Sequence, residues 1–373
     1  MQKLIRRRET SSQAEWSVAG LHPLLAHVYA GRGVANSAEL ELGLAHLVLP
    51  SELLNADRAA VLLADALAAD EHILIVGDYD ADGATSTALA LVALRAFGCS
   101  RVSYLVPNRF EYGYGLTREI VELAIANGAP DVIVTVDNGI SSLDGVIAAR
   151  DAGIRTLITD HHLAGSVLPD ADVIVNPNQP DCGFPSKNLA GVGVIFYIML
   201  ALRAELRSRD WFATRQEPNL AQFTDLVALG TVADVVPLDR NNRIMVAAGL
   251  QRIRKGQARP GIMALLEVAS RSPHNVVASD LGFAVGPRIN AAGRLDDISV
   301  GIECLLQEDQ ANARQLAAEL HQKNQDRRVI EADMQQQALK LLDELSVESE
   351  DAPVAMTLYR PDWHQGVIGI LAS

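Results

Sequence analysis

Carboxylate and imidazole side chains recur in this sequence directly after short aliphatic runs. They are Asp78, Asp80 and Asp82 after residues 73–76, Asp137 after residues 132–136, and Asp160, His161 and His162 after residues 156–159. Carboxylates mixed with imidazole suit Mn²⁺ or Mg²⁺, and a group of this size could hold two such ions with one aspartate bridging them. The chemistry that these residue types indicate is metal-assisted hydrolysis.

The aspartate triplet also begins like the D-x-D-x-D-G loop of a calcium-binding EF-hand. Position 12, counted from Asp78, is Leu89, where an EF-hand has glutamate. The aliphatic run before Asp78 is typical of a strand, whereas an EF-hand loop follows a helix. An EF-hand is therefore not favoured, and a solvated acidic turn is the alternative for the triplet taken alone.

The elements that would position these residues follow from aliphatic runs at 73–76, 102–106, 132–136, 156–158 and 173–175. Each run is followed by a turn and a helical pattern, which is typical of parallel strands covered on both faces. We therefore predict an α/β fold with a doubly wound parallel sheet. The carboxyl ends of such strands open into one crevice, where the acidic and histidine groups are expected to converge.

Two further features concern single residues near these groups. In an extended backbone His161 and His162 would point to opposite sides, so we expect one to bind metal and the other to reach the substrate. A further acid, Asp234, ends an apolar helical pattern shortly before Pro237. Alone, Asp234 would be a helix-end acid without a special role.

Glycine and arginine are concentrated in residues 282–297. Gly286 and Gly293 permit close backbone approach, and the guanidinium groups of Arg288 and Arg294 match phosphate oxygens in shape and charge. We predict a phosphate-binding loop, with an ordinary surface loop as the alternative.

The chain of 373 residues is long enough for two or three domains. We divide it into a helical N-terminal segment (1–70), a core domain (71–300), a long connecting helix (301–347) and the start of a second α/β domain (348–373). The last part holds one predicted strand, 354–358, and half a helix, which cannot bury a core of their own. We expect the chain to be a fragment; the alternative is a short tail that docks on the first domain.

Charge and composition limit the classes of partner. A net charge of −14 argues against a general polyanion-binding surface, so contact with nucleic acid must be local or helped by bound cations. The three cysteines are far apart, which excludes a disulfide framework. The longest apolar stretch, 189–202, is too short to cross a bilayer, and the basic N-terminus lacks the apolar segment of a signal peptide. We expect a cytoplasmic protein without membrane contact.

Four segments together resemble the motifs of the DHH phosphoesterase superfamily, which is named after a triplet like Asp160-His161-His162. They are residues 76–86, 134–142, 159–162 and 229–238. Within that superfamily, the chain is most similar to the bacterial exonuclease family that is specific for single-stranded DNA. The segments that carry this second resemblance are 107–116, 176–182, 286–295 and 363–373.

The resemblance implies two divalent cations, Mn²⁺ or Mg²⁺. The implied ligands are Asp78, Asp80 and Asp82 in the first motif, Asp137 as the bridge, and His161 and Asp234 in the second site. His162 would contact the scissile phosphate or its leaving oxygen, so the implied catalytic residues are Asp137, His161 and His162. Asp160 would orient its neighbours. Substrate phosphates would be held by His162, Arg109, Arg288, Asn290 and Arg294.

The activity that the resemblance implies is release of 5′-mononucleotides from the 5′ end of single-stranded DNA, in recombination and repair. A monomer is expected, with single-strand binding protein and a helicase as partners. Proteins of that family continue into a second α/β domain and an OB-fold, so activity of this chain by itself stays open. The alternatives are a DHH phosphodiesterase acting on small nucleotides or oligoribonucleotides, and an inactive scaffold, which the intact acids and histidines disfavour.

Overall fold

A computed structural model of the protein describes residues 21–107, 109–344 and 356–372. Its centre is a parallel sheet of five strands. They are β1 (Ile73–Gly77), β2 (Val102–Leu105), β3 (Val132–Val136), β4 (Arg155–Thr159) and β5 (Val173–Val175), in the order β2-β1-β3-β4-β5. The predicted doubly wound α/β fold is confirmed.

Helices surround the sheet on both faces. In chain order they are α1 (Pro23–Ala30), α2 (Ala56–Ala68), α3 (Ala81–Phe97), α4 (Arg109–Tyr112), α5 (Arg118–Ala126), α6 (Leu143–Asp151), α7 (Gly191–Ser208), α8 (Thr224–Ala233), α9 (Arg240–Arg254), α10 (Pro260–Val268), α11 (Ala278–Asp280), α12 (Gly286–Leu295), α13 (Ser299–Leu306), α14 (Gln310–Glu344) and α15 (Ile368–Leu371). A π-helical turn, Leu281–Val285, joins α11 to α12.

The strands are apolar along their length because both of their faces are buried. Ile73 and Ile75 of β1 belong to the larger core, which includes residues of α2, α3, α7 and α8. Leu74 and Val76 belong to a smaller core on the opposite face, shared with α5 and α6. The alternation of side chains along a strand thus gives the sheet two separate apolar layers.

The strand order places a switch point between β1 and β3. The chain leaves β1 towards β2 on one side and leaves β3 towards β4 on the other. The two connections diverge at the carboxyl ends of these strands, which is where open α/β sheets bind their ligands.

The helix α8, whose last residue precedes Asp234, packs closely against α9. Gly249 permits this approach, because a Cβ atom there would lie 2.2 Å from the carbonyl oxygen of Thr224 and 2.4 Å from Cβ of Ala228. The position of Asp234 therefore depends on a helix pair that tolerates no added methyl group.

The N-terminal segment is less helical than predicted for 1–70. Residues 1–20 lie outside the described part, and between α1 and α2 the chain forms only short 3-10 turns at Ser37–Leu40, Leu44–His46 and Pro50–Glu52. Glycines at 31, 33 and 43 and a proline at 50 interrupt the helical pattern there.

The long helix also begins later than predicted. Residues 301–306 belong to the separate helix α13, and α14 starts at Gln310 because the carboxylate of Asp309 accepts a hydrogen bond from the backbone N–H of Asn312, at 2.8 Å. Its 35 residues span about 50 Å at 1.5 Å per residue. None of the helices described here is long and apolar enough to span a membrane.

Residues 354 and 355 of the predicted strand at 354–358 lie outside the described part, as do residues 345–353 before them. Residues 356–358 form no strand with any described segment. The following residues rest on α14 and α12: the indole N–H of Trp363 donates to Oε1 of Gln337 at 2.9 Å, and the guanidinium of Arg294 donates to the carbonyl of Gly366 at 3.2 Å.

We expect Gly249→Ala to lower the free energy of unfolding by about 1–3 kcal/mol, because the added methyl group overpacks the α8–α9 contact. Urea denaturation measures this change. Gly183→Ala is the matched control, since a Cβ atom there meets nothing within 4 Å. Equal stability of the two variants would contradict the tight contact.

Candidate metal centre

The predicted residues converge at the carboxyl ends of three neighbouring strands. Asp78 directly follows β1, Asp137 follows β3 and Asp160 follows β4. Asp234 reaches the same place from the end of α8, where it is the C-terminal cap residue. The convergence expected from the strand order is therefore present.

Two aspartates, Asp80 and Asp82, accept hydrogen bonds from the first turns of two different helices. Asp80 is the N-cap residue, and one carboxylate oxygen accepts from the backbone N–H groups of Asp82 and Gly83, both at 2.9 Å. The Asp82 carboxylate reaches across to the start of α7 and accepts from the N–H groups of Gly191, at 2.6 Å, and Val192, at 3.0 Å. Asp82 thus caps a helix that has no side-chain cap of its own.

Asp137 adopts an unusual backbone conformation, with φ of 63°. The following residue holds it there: Nδ2 of Asn138 donates to the carbonyls of Val76, at 3.1 Å, and Val136, at 2.9 Å. The hydroxyl of Thr135 donates to the Asn138 carbonyl at 2.7 Å. A left-handed aspartate costs about 1–3 kcal/mol, and the hydrogen bonds that tie the ends of β1 and β3 together offset this cost.

His161 lies among three carboxylates. Its Nε2 atom is 3.1 Å from Oδ1 of Asp137, 3.6 Å from Oδ2 of Asp234 and 3.9 Å from Oδ2 of Asp82. The imidazole is 11 % exposed, and burial followed by repulsion from His162 lowers the pKa of His161 to about 4. At neutral pH this ring is uncharged, as a metal ligand must be.

Asp160 organises the turn after β4 rather than joining the carboxylate group. Its Oδ1 atom accepts from the backbone N–H of His161 at 2.7 Å and from Nδ1 of His162 at 2.8 Å, and its Oδ2 atom accepts from the N–H of Ile140 at 2.9 Å. The hydrogen bond to Asp160 raises the pKa of His162 to about 9. His162 is therefore an imidazolium at neutral pH.

The expectation that the two histidines point to opposite sides is wrong. Their rings lie side by side with centroids 4.5 Å apart. The Asp160 carboxylate also accepts from the backbone N–H of His162 at 3.1 Å, so the backbone closes into a turn instead of staying extended. The two rings differ in exposure all the same, at 11 % for His161 and 45 % for His162.

Sequence reasoning missed Tyr114. Its hydroxyl lies 3.4 Å from Nδ1 of His162 and 3.5 Å from the carbonyl of Asp137, and its ring packs edge-on against those of His162 and Tyr79. The signal in the sequence that could have indicated Tyr114 is the glycine on each side of it, Gly113 and Gly115. Both glycines adopt a positive φ in the structure. Beside it lies a cavity of about 690 Å³, whose lining includes Asp78 and His162.

The acids of the centre resist ionisation together. Burial and then the Asp80 carboxylate raise the pKa of both Asp78 and Asp234 to about 7. Burial and neighbouring carboxylates also raise the pKa of Asp82 and of Asp137. Several buried carboxylates without a cation are costly to ionise.

The donor atoms of the centre fit divalent cations. Four buried atoms have no hydrogen-bond partner among the described residues, namely Oδ1 of Asp78, Oδ1 of Asp137, Nε2 of His161 and Oδ2 of Asp234. Atoms so close together that do not bond one another leave room for an ion between them, and oxygen with imidazole nitrogen suits Mn²⁺ or Mg²⁺.

These atoms fall into overlapping sets. The sets whose donor atoms lie within 4.8 Å of one another are Asp82 with His161 and Asp234, Asp78 with Asp80 and Asp137, and Asp137 with His161 and His162. Asp137 and His161 each belong to two of them, and of the two side chains only the carboxylate of Asp137 has two oxygens with which it could contact two ions. Asp82 groups with His161 and Asp234, whereas the sequence reasoning placed it beside Asp78 and Asp80.

The residues expected to hold phosphate are more widely spread. Residues 286–295, predicted as a loop, form the helix α12 instead. The side-chain oxygen of Asn290 accepts from the N–H of Ala81 at 2.6 Å, and Arg294 contacts Gly366. Arg288 faces α14, where Nε donates to Nδ1 of His321 at 3.1 Å. The side chain of Arg109 lies outside the described part.

Comparison with protein families shows that residues 72–231 match the DHH family, N-terminal domain. The chain is 56 % identical over 374 residues to the single-stranded-DNA-specific exonuclease RecJ of Salmonella typhimurium, an alignment that covers 100 % of this chain and 64 % of the relative. It is 35 % identical over 355 residues to the protein of that name from Bacillus subtilis, covering 94 % of this chain and 43 % of the relative. The chain thus spans less than two thirds of the length of these relatives.

Solved structures of RecJ proteins also align with this chain. A crystal structure of exonuclease RecJ bound to manganese aligns with a TM-score of 0.74 and 35 % identity, over 86 % of this chain and 76 % of that one. The structure of RecJ from Thermus thermophilus in complex with Mn²⁺ aligns with a TM-score of 0.76 and 33 % identity, over 92 % of this chain and 47 % of that one.

We expect the metal-free chain to lose stability as the pH rises from about 6.5 to about 8.5. The pKa values of Asp78, Asp234 and His162 are raised in the folded state. In this pH range the folded state therefore still holds protons that the unfolded state has already released, and folding is weakened as those protons are lost. His161 opposes the trend only in the lowest part of this range, where the unfolded state still holds part of a proton that the folded ring, with its lowered pKa, does not hold.

The measurement is the thermal midpoint in EDTA and in Mg²⁺ at both pH values. Mg²⁺ should raise the midpoint more at the higher pH, because it replaces the lost protons. Asp137→Asn, which removes one of the repelling charges, should flatten the dependence in EDTA. A thermal midpoint in EDTA that is higher at the higher pH would contradict the raised pKa values of these groups.

Proposed function

Because the chain belongs to the DHH family and, within it, to the RecJ proteins, as its motifs predict, we propose that it is a metal-dependent exonuclease. Its substrate is single-stranded DNA, from whose 5′ end it releases 5′-mononucleotides in recombination and repair. The observation that carries this proposal is the convergence of unpartnered ligand atoms of Asp78, Asp137, His161 and Asp234 at three strand ends. The substrate class comes from the relatives, which are named as exonucleases specific for single-stranded DNA.

Two divalent cations, Mn²⁺ or Mg²⁺, fit the centre. One would be held by Asp82, His161 and Asp234, and the other by Asp78 and Asp80, with Asp137 between them. When bound, such ions lower the pKa of water and stabilise the charge that develops on a phosphodiester during in-line attack. The chain's own contribution is to hold the carboxylates and the neutral His161 ring in register.

His162 is the residue that this arrangement offers to the substrate. Its Nδ1 atom is bonded to Asp160, so the remaining donor is Nε2–H, on a ring that is 45 % exposed. As an imidazolium, it would donate to a phosphate oxygen or to the leaving oxygen. Asp160 fixes the ring and keeps it charged.

The residues of α12 have two roles in this proposal. Asn290 positions the loop of residues 78–82, because its side-chain oxygen accepts a hydrogen bond from the N–H of Ala81 at the start of α3. Arg288, Arg294 and Arg109 supply positive charge for substrate phosphates. Gly293 lets α12 approach the same loop, since a Cβ atom there would lie 1.9 Å from the carbonyl oxygen of Tyr79.

The wider setting follows from the proposed substrate. We place the protein in the cytoplasm as a monomer, with single-strand binding protein and a helicase as partners that expose and deliver single strands. The three cysteines support a reducing compartment, because all are buried and unpaired.

A phosphodiesterase acting on small nucleotides is the second candidate. The cavity of about 690 Å³ beside His162 favours it, because a space of this size between Tyr114, Thr117 and Ser141 suits a single nucleotide. The two candidate functions differ in the length of the substrate that is cleaved, a long single strand in the first and a small nucleotide in the second.

The test is Mn²⁺-dependent digestion of a 5′-phosphorylated single strand, compared with the duplex and with a dinucleotide. We expect mononucleotides from the 5′ end of the single strand and none from the duplex. Asp137→Asn should lower kcat at least about a hundredfold, because it removes the ligand shared by two sets. Asp57→Asn, on the exposed face of α2, is the matched control. Cleavage of the dinucleotide alone would favour the second candidate.

A second variant separates catalysis from metal binding. We expect His162→Gln to lower kcat about 10²- to 10⁴-fold while Mn²⁺ affinity changes little, because the ring acts on the substrate. Calorimetric titration with Mn²⁺ and single-turnover cleavage give the two quantities. Loss of Mn²⁺ binding in this variant would instead make His162 a metal ligand.

A further inference from the structure

Two exposed apolar side chains lie at the end of α8, where Asp234 joins the metal centre. Val235 directly follows Asp234 and is 84 % exposed, and Phe283, in the π-helical turn before α12, is 82 % exposed. Residues 235–238 and 281–287 contain no charged residue, so this surface is neutral beside a centre rich in carboxylates. Single exposed apolar residues are common, whereas neighbouring ones indicate a binding surface.

The two side chains belong to one surface. The carbonyl oxygen of Val232, in the last turn of α8, accepts a hydrogen bond from the N–H of Val235 at 3.3 Å. The same oxygen would lie 3.3 Å from a Cβ atom on Gly282, the residue before Phe283. The backbone beside Phe283 and the backbone of Val235 therefore meet at one oxygen atom. We call Val235 and Phe283 the apolar rim.

Both members of the apolar rim lie on an uncommon backbone. Val235 has φ of 64°, in the left-handed region that a β-branched side chain rarely adopts. Asparagine or glycine would adopt this conformation at lower cost, so the position of Asp234 does not itself require a valine. Phe283 lies in a π-helical turn, a feature that is frequent at functional sites. Neither side chain is buried, so packing in a core does not account for it.

The apolar rim borders the metal centre. Oδ2 of Asp234, the residue before Val235, lies 3.6 Å from Nε2 of His161. A phosphodiester held at the centre therefore has its adjoining nucleosides close to the rim. The carboxylates around the rim repel further phosphates, whereas the flat face of a nucleobase is uncharged and packs well on aromatic and aliphatic groups. The base is thus the part of the strand that suits this surface.

We propose that Phe283 and Val235 bind an unpaired nucleobase of the strand whose phosphodiester lies at the metal centre. The base stacks on the Phe283 ring and packs against Val235. This inference rests on the proposed function for the identity of its ligand. The bases of a duplex are paired and stacked on one another, and exposing one of them costs free energy. The apolar rim therefore favours single strands over duplex.

The test combines Phe283→Ala with strands that lack one base. Fluorescent single strands of about 12 nucleotides with phosphorothioate linkages carry one abasic residue at successive positions from the 5′ end, and Kd is measured in Mn²⁺. In the unaltered chain, we expect the abasic residue at one position to weaken binding about 5- to 100-fold, the size of one base–aromatic stack. In Phe283→Ala the same abasic residue should have no effect, because the two changes remove one contact.

Two further variants show whether the aromatic face is responsible. Phe283→Trp keeps a flat ring and should restore both the affinity and the effect of the abasic residue. Val61→Ala is the control, because it removes an exposed apolar side chain at the opposite end of the sheet, beside Arg155 at the start of β4. Duplex affinity should be equal in all variants. A fall in duplex and single-strand affinity alike in Phe283→Ala would overturn the recognition of unpaired bases.

A change at Val235 separates binding from a structural role. Asparagine adopts the left-handed backbone more readily than valine. Val235→Asn should therefore raise the thermal midpoint by about 1–4 °C, while it weakens binding of the complete single strand about two- to fivefold. A lower thermal midpoint with unchanged affinity would show that the valine serves the fold, and would overturn its place in the apolar rim.

The outcomes separate this inference from the proposed function. If Phe283→Ala binds every strand like Val61→Ala while the unaltered chain degrades single strands, the base site is overturned and the exonuclease stands. If the abasic effect depends on Phe283 but no single strand is degraded, the base site stands and the exonuclease is overturned. If the unaltered chain neither binds nor degrades single strands, both are overturned. If abasic residues have no effect and Phe283→Ala changes the sedimentation coefficient, the apolar rim joins copies of the chain and the base site is overturned.

Discussion

The mutual repulsion of buried carboxylates is the constraint that the rest of this structure serves. Asp78, Asp82, Asp137 and Asp234 lie where water has little access, and their pKa values are raised as a result. Bringing them together in ionised form costs free energy, which retained protons offset in the metal-free chain and a bound cation would offset at higher pH. The sheet and its helices must therefore be stable enough to hold the centre before any ion binds, and the two apolar layers of the sheet provide that stability.

Backbone N–H groups do much of the positioning. Asp80 binds the first turn of α3, Asp82 binds the first turn of α7, and Asp160 binds the turn after β4. Each carboxylate is fixed by donors that belong to a helix or turn, so its orientation does not depend on the ion. The helix starts also place positive ends of backbone dipoles near the acids, which reduces the repulsion. The fold and the metal centre thus share the same hydrogen bonds.

The sequence predicted the sheet and most of the centre because both depend on simple patterns. Aliphatic runs indicated the strands, and the carboxyl-end rule brought Asp78, Asp137 and His161 together. The aliphatic pattern could not predict the turn at His162. The carboxylate of Asp160 accepts a hydrogen bond from the backbone N–H of His162, and this bond bends a backbone that the pattern had predicted to be extended. Residues 286–295 looked like a loop, yet Pro287 fits the first turn of a helix and α12 is held by tertiary contacts. Tyr114 was missed because it is not a metal-ligand type.

The proposed ligands of the centre are far apart along the chain, from Asp78 after β1 to Asp234 after α8, and this separation has a consequence for biosynthesis. During translation, the first acidic loop leaves the ribosome long before the last ligand is made. No subset of loops can form the complete set of donors early, because the positions of Asp137, His161 and Asp234 are set by three other elements. Metal uptake at full affinity therefore comes after assembly of the whole domain, and a nascent chain cannot bind an ion with the complete set of donors before it has folded.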